Sequence, residues 1–228
     1  MAKKKVTRKQ LLKEPDEFIT TTGKVIGWAK ENTRSLVIGV LVFFALITIV
    51  SVYGYINGKS AAKAQLMFSQ AVTKYETAAQ QKSDEEALAA VSADFDALIN
   101  SYGNQSAGRF GRIFYGHISA AGKVYDQAIV HYQSALDDFG GDSSLTNVIL
   151  NGLGSAYQQK GEYPQAIENY KKIVDGPGSM LKDVALFHLG KLYAQIGKVQ
   201  ESEKAYQQLN TDFPNSMYAN IVREKIAG

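Results

Sequence analysis

The chain has no cysteine among its 228 residues. That removes disulfides, zinc–thiolate sites and a cysteine nucleophile together, and it suits an oxidising compartment without requiring one. Proline is scarce and tryptophan occurs once, at Trp28. The three histidines, His117, His131 and His188, stand too far apart for a His-Glu-Xaa-Xaa-His ligand set. Alternating β-branched runs, the mark of strands, are missing outside one apolar stretch. Gly140-Gly141 and Gly176-Pro177-Gly178 are followed by no Lys-Ser or Lys-Thr pair, so neither reads as a phosphate loop. Asp137-Asp138 and Asp84-Glu85-Glu86 fall at helix ends, where capping and solvated charge account for carboxylates. The expectation is a protein without catalytic residues, cofactor, metal or small-molecule substrate.

What is present is one long apolar run. Residues 36–56 (LVIGVLVFFALITIVSVYGYI) are twenty-one uncharged positions in succession. As a helix they would extend roughly 31 Å, the thickness of a bilayer core. The run is too long, and starts too far into the chain, for the apolar core of a cleaved signal peptide. Nine basic residues against four acidic ones precede Leu36, a net of +5, whereas only Lys59 and Lys63 follow closely. Basic flanks stay on the cytoplasmic side, so the N-terminus is expected in the cytoplasm and the rest outside it. Residues 57–228 carry sixteen basic and eighteen acidic side chains, which gives no basic face for nucleic acid.

Ahead of the run, residues 15–32 allow two readings. Pro15, Asp16 and Glu17 suit a helix start, and Phe18, Val25, Ile26 and Ala29 recur near helical spacing. An amphipathic helix on the headgroups, with Trp28 in the interface, fits this pattern. A solvated basic tail fits Gly23 and Gly27 equally well. In either form the lysines favour anionic membrane lipid.

Beyond the run the sequence repeats itself. Residues 147–178 place Leu150, Leu153, Gly154, Tyr157, Ala166 and Tyr170 at the spacings of a tetratricopeptide repeat. From Asp183 the same places are taken by Leu186, Leu189, Gly190, Tyr193, Tyr206 and Pro214, with Ser202 for the usual alanine. From Arg109 they are taken by Gly116, Ala128, Tyr132 and Ala135, with Arg112 where a leucine or aromatic is expected. Three matched small residues let paired helices approach closely, while Gly161 and Gly197 supply turns. Glycine inside a helix costs about 1 kcal/mol relative to alanine, so its recurrence needs a packing reason. Ser83 and Glu86 form a capping box that opens a helix of a diverged earlier pair.

The expected architecture is all-α: one N-terminal transmembrane helix, then a tetratricopeptide α-solenoid with a C-terminal capping helix. Its parts are a basic cytoplasmic segment (1–35), the transmembrane helix (36–56), and a linking helix with the diverged first repeat (57–108). Three repeat units (109–146, 147–182 and 183–215) and a capping helix (216–228) follow. Stacked helix pairs offer a groove lined by the first helix of each unit. On this register it carries Phe110, Ile113, Phe114 and His117, then Val148, Asn151, Ser155 and Gln158, then Phe187, His188 and Lys191. Such a surface suits an extended or helical segment of another protein.

This order of anchor, linking helix, repeats and terminal helix resembles a family of bacterial inner-membrane proteins, the ancillary subunits of the Sec translocon. The repeat residues quoted above carry the resemblance. It implies a non-enzymatic scaffold, single-pass in the inner membrane with its repeats in the periplasm. Its implied partners are the Sec translocon, periplasmic chaperones or translocating polypeptides. A periplasmic adaptor in envelope or cytochrome complex assembly has the same sequence features. A membrane-anchored enzyme would need a polar pocket with a perturbed titratable group, which nothing in the spacing suggests.

Overall fold

The structure, a computed structural model, describes residues 17–227. The basic start with Pro15 and Asp16, the side chain of Phe18 and the final glycine lie outside the described set. Among the described residues there are ten helices and no strand, in two units, Met1–Gly58 and Lys59–Gly228.

The first unit holds α1 (Glu17–Glu31) and the N-terminal part of α2 (Thr33–Ala79). Every large apolar side chain from Val37 to Ile56 is exposed, by between 45% and 71%. A helix that is apolar all round belongs inside protein or lipid, and nothing among the described residues covers this one. Its backbone is satisfied internally, and the Thr48 hydroxyl donates to the Phe44 carbonyl at 2.9 Å, as a lipid environment demands. The stretch is long and apolar enough to cross a membrane and is compatible with a membrane anchor.

In the second unit the remainder of α2 packs on α3 (Asp84–Tyr102), which opens with the expected capping box. Glu86 N–H donates to Ser83 Oγ at 3.3 Å, and Ser83 N–H donates to Glu86 Oε2 at 3.3 Å. Three helix pairs follow: α4 (Ser106–Ala121) with α5 (Tyr125–Phe139), α6 (Ser143–Gln159) with α7 (Tyr163–Asp175), and α8 (Lys182–Gln195) with α9 (Val199–Asp212). A last helix, α10 (Ala219–Ala227), buries Ala219 and Val222 against the preceding pair. Local signals set the boundaries. Asp142 Oδ1 accepts from Ser144 N–H and Leu145 N–H at 2.9 and 3.1 Å to start α6. Pro164 sits in the first turn of α7, where its missing N–H costs nothing.

The turn between the helices of each pair is the same device three times. Gly161 and Gly197 have φ of +78° and +76°, and Lys123 takes the matching place with φ of +61°. The next residue's N–H closes back five residues each time: Val124 to Ser119, Glu162 to Tyr157 and Lys198 to Tyr193, at 2.8 to 2.9 Å. This is the left-handed helix stop that glycine adopts freely and lysine adopts at a cost.

The helices of a pair are set close by ring against backbone. A Cβ on Gly116 would stand 2.8 Å from Tyr132, one on Gly154 2.8 Å from Tyr170, and one on Gly190 2.3 Å from Tyr206. Gly152 meets Tyr132 from the following pair at 2.5 Å, so that ring is held from both sides. Departures from the repeat pattern find their own partners. The Ser202 hydroxyl donates to the Gly190 carbonyl at 2.7 Å, which satisfies it inside the core. Arg112, in place of a buried leucine, pairs with Asp138 on α5 and donates to the Gly103 carbonyl at 3.1 Å.

Candidate protein-binding face

The first helices α4, α6 and α8 carry the residues expected to line a groove, and the structure divides them. His117 is exposed on α4, with Nδ1 2.6 Å from the Tyr132 hydroxyl. Phe110 is 42% exposed, its ring 5.0 Å from that of Phe139. Val148, Asn151, Ser155 and Gln158 are half-buried along α6. On α8, Lys191 is exposed with Nζ 5.8 Å from the centroid of Phe187. His188 lies flat on Tyr170, centroids 4.8 Å apart, and its Nδ1 donates to Gln158 Oε1 at 3.2 Å. That bond joins two neighbouring pairs across the face.

Two expected lining residues belong to the interior. Ile113 is only 7% exposed and sits in the main core. Phe114 is half-buried and packs toward α2 and α3, stacked on Phe95 at 5.6 Å and edge-on to Phe68 and Tyr75 at 6.1 and 5.9 Å. For Phe114 the cause is the aromatic surface that α2 and α3 present to α4: Phe68, Tyr75 and Phe95 draw its ring away from the groove. Phe187 is partly covered as well, stacked at 4.3 Å on Tyr218, the residue before α10. The face is therefore more polar than expected, with His117, Asn151, Ser155, Gln158, His188 and Lys191 as its main features.

Sequence reasoning passed over the repeat tyrosines as functional groups. In the α4/α5 pair the Tyr132 hydroxyl meets His117. In the next pair the equivalent Tyr170 hydroxyl is buried without a hydrogen-bond partner among the described residues, and so is Asn151 Oδ1. Ser155 holds the place of His117 and is too short to do the same. The equivalence could have been found by aligning the repeats and asking what stands at the position of each tyrosine's partner. Burial holds the Tyr132 and Tyr170 phenols well above the usual range, so both stay neutral. Burial also lowers His188, helped by Lys191, and lowers His131, where Arg112 adds to burial and Asp96 opposes it. Among the described residues no group of three or more His, Asp or Glu is placed to hold a metal ion.

Stacked helix pairs, glycine–tyrosine appositions at fixed register and a polar face along the first helices together define a tetratricopeptide-type interaction domain. The chain belongs to the tetratricopeptide repeat-like domain family, whose model matches residues 27–227 and so takes in the apolar stretch as well as the repeats. It is similar in fold to the crystal structure of a tetratricopeptide repeat protein from Parabacteroides merdae ATCC 43184, with a TM-score of 0.55 at 20% identity. That similarity covers 72% of this chain and 61% of the other, so this chain spans less than two thirds of that protein. No curated protein matches the sequence.

Proposed function

We propose that the protein is a membrane-tethered, non-catalytic scaffold that binds other proteins through the face of α4, α6 and α8. The observation that carries this reading is the pairing, in one family match, of an uncovered apolar helix with a repeat domain. A fold of this kind presents surface rather than an enclosed pocket, and the two histidines on the face, His117 and His188, rest against repeat tyrosines. The charge balance around the apolar helix supports an N-terminus in the cytoplasm, which in a bacterial inner membrane puts the repeats in the periplasm. Within that setting the chain is a companion of the Sec translocon that meets emerging polypeptides or recruits periplasmic chaperones. What supports the Sec reading is the layout of anchor, linking helix and repeats.

The test is site-specific photocrosslinking in native membranes, with the probe at Ser155 or Lys191 on the face and at Val130, an exposed position on α5, as control. Adducts with the Sec channel, its substrates or periplasmic chaperones from the face positions alone would support the proposal. Adducts only with envelope or cytochrome assembly factors would replace the Sec companion with an assembly adaptor. Equal labelling from Val130 and the face would remove the face as the binding surface.

A further inference from the structure

α1 has an apolar side that nothing described covers, and a fixed place beside the apolar helix. Val25, Ile26 and Trp28 are exposed by 59%, 51% and 57%. At 3.6 residues per turn, Thr22, Val25, Ile26 and Ala29 share one side, while Lys24, Gly27 and Glu31 share the opposite one and Trp28 falls between the two, next to Lys24. Only Asn32 separates α1 from α2. Trp28 is eight positions before Leu36, about 12 Å along a helix axis, which brings it to the edge of the headgroup layer when the apolar run fills the bilayer core.

The junction holds α1 to α2 by hydrogen bonds. The backbone ladder continues through it, Asn32 N–H to the Trp28 carbonyl at 3.0 Å and Leu36 N–H to the Asn32 carbonyl at 2.9 Å. Side chains add donors to the same carbonyls: Asn32 Nδ2 to Trp28 at 2.9 Å, and Thr33 Oγ1 to Ala29 and Lys30 at 3.0 and 2.9 Å. These bonds give the last carbonyls of α1 side-chain donors where water becomes scarce. Lys24, Lys30 and Arg34 flank the junction within the net charge of +5 of residues 1–35.

We infer that α1 binds the anionic phospholipid headgroups of the membrane that α2 crosses, with Trp28 seated in the interface and Lys24, Lys30 and Arg34 meeting lipid phosphates. The occupant is lipid because α1 is tethered one residue from the apolar helix, so the bilayer is the surface it meets first and at the highest effective concentration. Charge selects the anionic lipid. This inference rests on α2 being a membrane anchor, and its experiment separates the two.

The full chain is reconstituted into lipid nanodiscs of zwitterionic phosphatidylcholine alone, or with one quarter phosphatidylglycerol. Retention in the disc after detergent removal reports the anchor. Trp28, the single tryptophan, reports α1 without labelling. In anionic discs its emission is expected to shift to the blue, with acrylamide quenching reduced roughly threefold relative to the unfolded chain and with quenching by lipids brominated near the glycerol. The reduction should shrink in zwitterionic discs, at high salt and in the triple variant K24E/K30E/R34E, all three still retained in the disc. Retention with water-like emission and full acrylamide access in every lipid overturns the inference and leaves the anchor standing. Protection of Trp28 in native membranes but not in lipid discs assigns α1 to a protein partner instead. Failure to enter the disc overturns the anchor, and the lipid site with it.

Discussion

Between α2 and α4 the helices are held apart by rings. Phe95 is fully buried, stacked on Phe114 and Tyr115 at 5.6 and 5.3 Å, with Phe68 edge-on at 6.5 Å. Between α6 and α9 they are drawn together by the opposite device, a tyrosine laid on bare backbone at Gly154 or Gly190. The first arrangement tolerates a long helix continuing out of the repeat domain, because ring stacks fill a wide gap. The second is a spacing rule that can be copied from pair to pair. Side-chain deletion should therefore hurt most in the first region and side-chain addition most in the second.

Phe95→Ala is the largest break. It removes the centre of the ring stack and leaves a cavity between α2, α3 and α4, at a cost of about 4 kcal/mol. Chemical unfolding of the detergent-solubilised full chain, followed by far-ultraviolet circular dichroism, should show it. A loss below about 1 kcal/mol would mean the stack is loosely packed and the contrast between the regions is false.

Gly190→Ala tests the other side. Alanine favours the helix by about 1 kcal/mol, but its Cβ would stand 2.3 Å from the Tyr206 ring. Overpacking wins, for a net loss of about 2 kcal/mol. Combining it with Tyr206→Leu should cost less than the two changes summed, since each relieves the other. Strict additivity would show that the ring and the glycine do not share one gap.

The repeat glycines were legible in the sequence because a residue without Cβ has no other reason to recur inside helices. The turns were legible at Gly161 and Gly197 and missed at Lys123, where the residue type hides a left-handed backbone. Lys123→Gly should consequently stabilise the α4/α5 turn by about 1 kcal/mol, and no gain would mean the lysine makes compensating contacts. The groove was less legible. Phe114 has a lining position on the repeat register, yet the aromatic α2/α3 pair claims it, and that pair's geometry lies outside the repeat pattern. Arg112 looked like a defect because its partner Asp138 lies 26 residues further on, visible only once α5 folds back along α4.

The smallest expected effect joins the two regions through their histidines. His131 stacks on Tyr115, at the edge of the ring-filled region, with centroids 4.2 Å apart. His188 lies on Tyr170 in the glycine-spaced one. Both are held below the ordinary histidine value, chiefly by burial. The unfolded chain then binds protons first as pH falls, so the stabilisation is fully present above pH of about 6.5 and is lost as pH drops through the folded values. Unfolding midpoints of the wild type should decline from pH 7 toward pH 5, with no further change from histidine above pH 7. His188→Gln and His131→Gln should each flatten part of that decline. The His131 share should be the more sensitive to Arg112→Met, because Arg112 holds the His131 value down while Lys191 does so for His188. A pH profile unmoved by either histidine variant would mean that His117, which burial also lowers, and the carboxylates set the acid limb, and that neither ring is enclosed by its tyrosine in solution.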